Sequence, residues 1–313
     1  MDTGDARILD VIIVGGGPAG LSAALVLARA CKRIVVIDAG QPRNHAAREM
    51  NGFLGRDGTD PRALLADGRR ELGKYGVEVI QDTVQSTECA PAAARSPFPT
   101  VFAVGTAAGR TLLGRKLLFA TGIRDELPDL PGLVECYGVS VHHCPYCDGW
   151  KHRGKRLLAF GGTAKAACGL GIALRGWSDS VTVLTDGQSL DAENRQKLDR
   201  NGVASSSARV QSLVCERGQL RGVNLERSGV MPADALFFHG EQKSQCDLPL
   251  TLGCDIQQNH RPRTSPKQKT NVHGLFLAGD ADGDVQFVIV AAAEGATAAV
   301  AINRELQDED RGN

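Results

Sequence analysis

The chain has 313 residues, of which 42% are hydrophobic and 23% charged, and its 36 basic side chains balance 36 acidic ones. This length is enough for two domains, and zero formal net charge argues against nucleic acid or an anionic membrane surface as a partner held by bulk electrostatics. Nine cysteines without regular spacing are not typical of a secreted disulfide framework, so we expect a cytoplasmic protein.

No export or membrane signal is evident in the sequence. The first residues, MDTGDARILD, are acidic and lack the basic segment and cleavage site of a signal peptide. The longest apolar stretch, residues 287–302, is interrupted by Glu294 and Gly295 and is too short for a membrane span. The sequence therefore predicts no membrane partner.

The first motif follows the strand-length segment DVIIV at residues 10–14, which is apolar after its first residue. Gly15, Gly17 and Gly20 have the spacing G-x-G-x-x-G and open a helical pattern. The first glycine permits a tight turn, the second lets the backbone approach a pyrophosphate, and the third lets helix and strand pack closely. The pyrophosphate would lie at the helix N-terminus, where the peptide dipoles favour negative charge.

A second β-branched run, residues 34–37, ends at Asp38. A carboxylate at this position can accept hydrogen bonds from a ribose. Because strand, glycine turn, helix, second strand and terminal acid are all in register, the sequence predicts a dinucleotide site. This motif does not distinguish FAD from NAD.

Two later strands end in polar turns. The strand at the start of residues 116–132 ends in Ala-Thr-Gly, and the strand within residues 272–306 ends in Gly-Asp before a long Ala-rich helix. With these segments, the chain from about residue 8 to residue 306 resembles the low-molecular-weight thioredoxin reductase family of FAD-dependent disulfide oxidoreductases.

The resemblance implies an α/β fold with two Rossmann-like dinucleotide-binding domains. The FAD domain would be discontinuous, formed by residues 1–123 and 243–313. The central domain, residues 124–242, would be inserted between them and would carry the redox cysteines near its start. By the same resemblance, we expect a homodimer.

The resemblance also implies how FAD is bound. Asp280 would hold the ribityl chain, Gln286 and Phe287 would lie beside the isoalloxazine, and Asn51 would contact the flavin. The loop GQPRN at residues 40–44 resembles the FAD-ribose loop of a thioredoxin-reductase-like subgroup. The implied FAD-binding residues are Gly15, Gly17, Pro18, Ala19, Gly20, Asp38, Gln41, Arg43, Asn51, Val84, Ala120, Thr121, Gly122, Gly279, Asp280, Gln286 and Phe287.

Residues 142–150, HHCPYCDGW, contain Cys144 and Cys147 in C-x-x-C spacing. Zinc needs about four ligands, commonly from two such pairs, and the nearby cysteine and histidines match no common zinc spacing. A purely structural disulfide would gain little entropy from so short a loop. C-x-x-C in a cytosolic protein with βαβ patterning favours a redox pair over both alternatives. Pro145 is expected to start a helix after Cys144, and this helix N-terminus would lower the thiol pKa.

The resemblance assigns roles within this motif. Cys147 would face the flavin, Cys144 would attack the disulfide of the substrate, and Asp148 would be the general acid. Beside an apolar flavin, Asp148 is expected to have a raised pKa. His142 and His143 either assist as bases or are strand-end residues that face solvent. The remaining cysteines are interpreted singly, as small buried hydrophobes or idle thiols.

A second glycine turn, FGGTAKAACGL, departs from the family's pyridine-nucleotide pattern. Thr163 replaces the glycine that leaves the backbone bare, and Thr-Asp-Gly at residues 185–187 replaces the basic pair that grips the NADPH 2′-phosphate. Two lost charge-assisted hydrogen bonds would weaken NADPH binding by roughly 10²–10⁴-fold. Asp186 would repel a phosphate but could accept a ribose hydroxyl. Three alternatives stay open: NADH, NADPH held by other contacts, or no pyridine nucleotide.

The sequence and the resemblance together predict an enzyme in which electrons pass from a donor to FAD, then to the Cys144–Cys147 disulfide, then to a thioredoxin-type protein disulfide. If no pyridine nucleotide binds, reduced ferredoxin is the leading donor. The basic loop at residues 258–270 could dock it, but its composition is more typical of a solvated loop. One alternative is an oxygen-dependent dithiol oxidase. Another is a flavoprotein redox sensor without turnover.

Overall fold

The computed structural model describes residues 8–91, 98, 100–257, 261–283 and 285–312. The basic loop at residues 258–270 lies partly outside these ranges. Within the described part of the chain, no helix is both long and apolar enough to cross a membrane.

Strands and helices alternate over most of the chain, as the motifs predict. The strands are β1 (Leu9–Val14), β2 (Ile34–Asp38), β3 (Glu78–Gln81), β4 (Val84–Pro91), β5 (Thr100–Thr106), β6 (Thr111–Phe119), β7 (Ile123–Asp125), β8 (Val141–His142), β9 (Leu157–Gly161), β10 (Val181–Leu184), β11 (Ala204–Ser206), β12 (Val210–Glu216), β13 (Gln219–Leu225), β14 (Gly229–Pro232), β15 (Ala235–His239), β16 (Gln242–Ser244) and β17 (Leu275–Leu277). The helices are α1 (Pro18–Arg29), α2 (Pro61–Gly73), α3 (Leu133–Cys136), α4 (Pro145–Asp148), α5 (Ala164–Leu174), α6 (Ala192–Arg200), α7 (Leu248–Thr251) and α8 (Val288–Arg311), with a 3-10 turn at Gly149–His152.

The chain forms two compact units. The first unit contains Met1–Arg43, Pro61–Arg124 and Ser244–Asn313, and the second contains Asn44–Asp60 and Asp125–Lys243. The segment Asn44–Asp60 therefore packs with the second unit, although both of its flanks belong to the first.

The first unit is built on a sheet with the order β3-β2-β1-β6-β5-β4, and β17 pairs with the second half of β6. The strands β3, β2, β1, β6 and β17 are parallel, whereas β4 and β5 are antiparallel. Val11, Ile12 and Ile13 are fully buried, as expected for a parallel strand that is covered on both faces.

Helix α1 packs against α8 through small side chains. Ala23, Ala24 and Leu27 of α1 belong to the same core cluster as Ala298 and Ile302 of α8. Small residues let the two backbones approach closely, so that α8 lies beside the turn that starts α1.

The second unit contains the parallel sheet β11-β10-β9-β15-β8 and the antiparallel sheet β12-β13-β14. Its core includes the fully buried side chains of Phe237 and Phe238 on β15. Both units thus have the strand–turn–helix–strand order of a Rossmann-like fold, which confirms the predicted fold class.

A disulfide joins Cys136, at the end of α3, to Cys215 on β12. The interpretation of these two residues as single buried or idle thiols is wrong. They are 79 residues apart, and only the packing of α3 against β12 brings them together.

Candidate functional site

The first glycine turn has the geometry that its sequence predicts. Gly15 has φ +107°, and a Cβ there would overlap with the carbonyl of Ala120. A Cβ at Gly20 would overlap with the carbonyl of Gly15. By contrast, a Cβ at Gly17 would meet no described atom within 4 Å. The outer glycines are therefore required by the fold, whereas Gly17 leaves a bare backbone exposed to a ligand.

Three strands of the first unit end at the same edge of the sheet. Ala120 donates its N–H to the carbonyl of Val14 at 2.7 Å, and Ala278 donates to the carbonyl of Phe119 at 3.0 Å. The turn at Gly15 therefore lies beside the two segments that the sequence singled out. The list of expected site residues at this edge is Gly15, Gly17, Pro18, Ala19, Gly20, Ala120, Thr121, Gly122, Gly279 and Asp280.

Asp38 ends β2 next to the glycine turn. Its carboxyl carbon would lie 2.7 Å from a Cβ at Gly16. The carboxylate accepts a hydrogen bond from Arg69 of α2, and its side chain is 15% exposed. Sequence reasoning missed Arg69, because the motif contains no signal for the residue that orients the acid.

A second polar cluster joins residues that are distant in sequence. Arg43 donates to Asp280 at 2.8 Å and to Gln286 at 2.7 Å. Glu294 of α8, at 9% exposure, accepts from the N–H of Gly279 at 2.6 Å. The structure thus brings together Arg43, Asp280 and Gln286, and adds Glu294, which sequence reasoning treated only as an interruption of an apolar stretch.

The other expected cofactor residues of this unit are less closely gathered. Gln41 is exposed, and its carbonyl accepts from Gln245 at 3.5 Å. Val84 begins β4 opposite Thr106. Phe287 precedes the first residue of α8 as its N-cap.

The first unit fits an FAD molecule by the chemistry of these groups. The bare backbone at Gly17 leads into the N-terminus of a helix, which favours a pyrophosphate. Asp38 offers acceptor oxygens for a ribose, and Asp280 and Arg43 offer paired polar groups at the same edge as Gly279. The chemistry of this edge therefore fits FAD, and the assignment of the individual cofactor-binding residues stays a prediction.

The redox motif lies in the second unit, where the structure joins Cys144 and Cys147 as a disulfide. Pro145 is the first residue of α4, as expected, and Cys144 is the N-cap. The Cys144 Sγ accepts from the N–H of Cys147 at 3.2 Å. Both cysteines are partly exposed.

Asp148 is held in its ionised form by its neighbours. Burial acts to raise its pKa and is the largest single influence, but the hydrogen bond from His142 and the charges of His142 and Lys151 together lower the pKa below its usual value. The chain's own groups thus lower the pKa of Asp148, whereas the sequence analysis expected burial against the flavin to raise it. The carboxylate lies 3.3 Å from His142 Nδ1 and 3.2 Å from Lys151 Nζ, and these donors outweigh its burial.

His142, which contacts Asp148, also contacts the buried imidazole of His152. Their Nε2 atoms are 3.0 Å apart, and both side chains are at least 95% buried. Burial, reinforced by the charge on His142, lowers the pKa of His152 to about 4, so the ring is neutral at pH 7. An ionised carboxylate only accepts, so Nδ1 of His142 carries its proton towards Asp148.

The contact between the two rings involves one nitrogen of each. Nδ1 of His152 is buried and has no hydrogen-bond partner among the described atoms. The rings therefore share a single hydrogen bond between their Nε2 atoms, and its donor depends on the tautomers of the two rings. The result is a hydrogen-bonded chain Asp148–His142–His152. His142 is thus buried rather than facing solvent.

His143 lies outside this chain. It is about one-third exposed, 3.4 Å from the hydroxyl of Tyr137 and 3.9 Å from Asp125. Sequence spacing did not distinguish the two adjacent histidines. His142 ends β8 and lies beside Asp148, whereas His143 follows in a bend and contacts Tyr137 instead.

The segment Asn44–Asp60 contacts the redox motif. Asn51 Nδ2 donates to the carbonyl of Cys147 at 2.9 Å, and Glu49 lies 3.4 Å from Lys151. The structure therefore places Asn51 against the backbone of the redox pair. Within the described ranges, no group of three or more His, Cys, Asp or Glu side chains is arranged to hold a metal ion.

The second glycine turn differs from the first in its hydrogen bonds. Thr163 is the N-cap of α5, and its hydroxyl accepts from the N–H of Ala166 at 3.2 Å. The side chain of Gln188, a residue to which no motif drew attention, contacts the turn at both Gly162 and Ala164.

The sequence is similar to known disulfide oxidoreductases. The model of the pyridine nucleotide-disulphide oxidoreductase family matches residues 9–295. Thioredoxin reductase tcpT of Claviceps purpurea is 32% identical over 88% of this chain and 87% of its own length. Thioredoxin reductase aclD of Aspergillus oryzae is 29% identical over 98% of this chain and 99% of its own.

Two solved structures have the same fold as this chain. The crystal structure of HlmI has a TM-score of 0.92 at 36% identity and covers 97% of this chain and 94% of its own. The putative thioredoxin reductase TrxB of Bacillus anthracis has a TM-score of 0.89 at 28% identity, covering 96% of this chain and 99% of its own. The chain therefore belongs to the pyridine nucleotide-disulphide oxidoreductase family and is an oxidoreductase of the low-molecular-weight thioredoxin reductase type, acting on a sulfur group.

Proposed function

We propose that this enzyme exchanges electrons between FAD and a thioredoxin-type protein disulfide through the Cys144–Cys147 pair. The observation that carries this proposal is a partly exposed disulfide at the start of α4, a helix that ends at Asp148, whose partly buried carboxylate is hydrogen-bonded to the buried His142. Such a pair of groups supplies both the exchanging sulfur and a defined position for its proton.

FAD is assigned to the first unit, held by the glycine turn, Asp38 and the cluster around Asp280. When bound, it supplies an electron pair to the disulfide or accepts one from the dithiol. The contribution of the chain itself is to present the sulfurs and to handle their protons.

In the reducing direction, the Cys144 thiolate attacks one sulfur of the substrate disulfide and forms a mixed disulfide, while the other substrate sulfur leaves as a thiolate and is protonated. Cys147 then attacks Cys144, which re-forms the Cys144–Cys147 bond and releases the second substrate thiol. One substrate disulfide thus gains two electrons and two protons. The ionised Asp148 carboxylate accepts the proton of the Cys147 thiol and returns it to a departing substrate sulfur, and His142 fixes the orientation of this carboxylate.

A dithiol oxidase is the second candidate, and the ionised state of Asp148 favours it. With the cysteines oxidised, as they are here, an unprotonated carboxylate beside the pair is ready to accept a proton from an attacking thiol. A substrate dithiol would become a disulfide, and its two electrons and two protons would reduce O₂ to H₂O₂.

The two functions are separated by one pair of assays on the FAD-bound protein. Thioredoxin disulfide is offered with dithionite-reduced enzyme without oxygen, and a small dithiol is offered in air. Thiol formation on thioredoxin supports the reductase, and peroxide formation from the dithiol supports the oxidase. If neither product forms, both proposals fail and a redox sensor without turnover is left.

The variant Asp148→Asn tests the role of the proton-carrying group. We expect exchange at Cys144–Cys147 to slow by roughly 10²-fold, since this is the usual effect of general acid–base catalysis, while the FAD content stays unchanged. Asp129→Asn, an exposed aspartate of the same unit, is the matched control. Equal rates for the two variants would remove Asp148 from the mechanism.

A further inference from the structure

We propose that the chain's own Gln188 closes the second glycine turn, so that this unit binds no nicotinamide dinucleotide and electrons reach the enzyme by another route. Membership of the family implies a nicotinamide cofactor as well as FAD. The residues of the second turn do not fit that cofactor. The inference concerns a ligand site and holds for either direction of exchange at Cys144–Cys147.

The Gln188 amide satisfies both kinds of backbone group in the turn. Its Oε1 accepts from the N–H of Ala164 at 2.9 Å, and its Nε2 donates to the carbonyl of Gly162 at 3.2 Å. Ala164 is the first residue of α5, so Gln188 occupies a helix N–H that a pyrophosphate would need. Gly162 also donates its own N–H to the carbonyl of His239 at 3.3 Å.

Gln188 is held in this position by the loop that follows β10. Its N–H donates to the carbonyl of Thr185 at 3.0 Å, and its carbonyl accepts from the Thr185 hydroxyl at 2.6 Å. Gly187 donates to the carbonyl of Ser207 at 3.0 Å. The backbone of Gln188 is thus fixed by the loop, and its exposed side chain reaches the turn through the amide.

Asp186 is part of the same closure. It has φ +51°, and its Oδ1 accepts from the N–H of Val210 at 2.8 Å. The carboxylate that could have accepted a ribose hydroxyl is therefore engaged in the fold. It also adds a negative charge to the loop, which disfavours a phosphate.

A dinucleotide would have to displace an intramolecular ligand. Tethered groups act at effective concentrations in the millimolar range, so displacement weakens binding before any other loss is counted. Thr163 adds a side chain where the first turn has Gly17. Two cations could still attract a phosphate: Lys165 in the first turn of α5, and Arg209, whose Cγ would lie 3.3 Å from a Cβ at Gly187. The NADPH titration tests their contribution.

The first test is binding to the unmodified FAD-bound protein. NADPH and NADH are titrated without oxygen while flavin absorbance is followed, and NADP⁺ and NAD⁺ are titrated by calorimetry. We expect neither bleaching nor binding heat up to about 1 mM. Bleaching or binding at micromolar nucleotide would overturn the proposal. This readout does not depend on disulfide turnover, so it is separate from the test of the proposed function.

The second test opens the turn. We expect Thr163→Gly with Gln188→Ala to bind NAD⁺ at least tenfold more tightly than the unmodified protein. Gln196→Ala, at an exposed position of α6, is the matched control and should not change binding. If the double variant folds and binds no better than the control, the closure by Gln188 is refuted. If it does not fold, the titrations of the unmodified protein still decide the question.

Discussion

The two glycine turns of this molecule follow the same order of strand, turn, helix and strand, yet they present different surfaces. In the first, the backbone at Gly17 is bare, and Asp38 stands at the end of the next strand with Arg69 to orient it. In the second, Thr163 and Gln188 satisfy the corresponding backbone groups from within the chain. The comparison teaches that the segment after the second strand, and not the glycines alone, determines whether such a turn is open to a ligand.

The difference also extends to what each unit does. The first unit gathers polar groups at one edge of a sheet around Asp280, whereas the second presents the Cys144–Cys147 disulfide with its histidine chain. A Rossmann-like unit can therefore position a redox-active cysteine pair even when its glycine turn binds no dinucleotide. Retention of a fold is not evidence that its original ligand still binds.

The largest expected effect comes from Gly20→Ala in the first turn. The new Cβ would overlap with the carbonyl of Gly15, which is backbone and cannot move aside. We expect stability to fall by about 3 kcal/mol or more, with loss of FAD. Thermal unfolding and the flavin content of the purified protein measure both effects.

The matched control for this change lies in the second unit. Ala166 already occupies the position that corresponds to Gly20, and a Cβ at Gly169 of α5 would meet no described atom within 4 Å. Gly169→Ala should leave stability unchanged or raise it by up to about 1 kcal/mol. Equal losses for Gly20→Ala and Gly169→Ala would contradict the difference between the turns.

Features whose residues lie close together in sequence could be predicted from the sequence. The three glycines, the pair Cys144–Cys147 and the strand ends at Ala120 and Gly279 each carry their signal within a few residues. These segments and the family resemblance that they carry predicted the fold class, whereas the cofactor residues that the resemblance implies stay predictions. The helix at Pro145 follows from the same kind of local rule.

Other features depend on contacts between distant segments. The Gln188 amide reaches Gly162 and Ala164 only because the loop after β10 turns back. The lowered pKa of Asp148 requires His142 to be buried beside it, and sequence reasoning considered burial against the flavin instead. No spacing rule connects Cys136 with its partner 79 residues later.

A pH dependence of stability is the next largest effect and belongs to the second unit. Because the pKa of His152 is lowered to about 4 in the folded protein, the unfolded chain binds more protons between pH 4 and pH 6.5. Stability is therefore full above pH 6.5 and falls as the pH decreases towards 4, by about 2–3 kcal/mol. Denaturant unfolding across this range measures it.

Two variants test whether His152 causes this loss of stability between pH 6.5 and pH 4. His152→Gln should abolish the loss, whereas His273→Gln, at an exposed histidine, should retain it. The lowered pKa of Asp148 contributes stability that is present above its unfolded pKa, near 3.8, and is lost as the pH falls further through the folded value, so its effect lies at lower pH. A loss of stability that survives in His152→Gln would assign the acid sensitivity to another group.

The smallest and most discriminating effect compares Gly17→Ala with Gly162→Ala. At both positions a Cβ would meet no described atom within 4 Å, so neither change should alter the stability of the cofactor-free protein by more than about 0.5 kcal/mol. Gly17→Ala should nevertheless weaken FAD binding by about tenfold, because the added methyl lies where the pyrophosphate approaches. Gly162→Ala should leave FAD binding unchanged. Flavin release on dilution measures both, and equal affinities in the two variants would show that Gly17 does not face the cofactor.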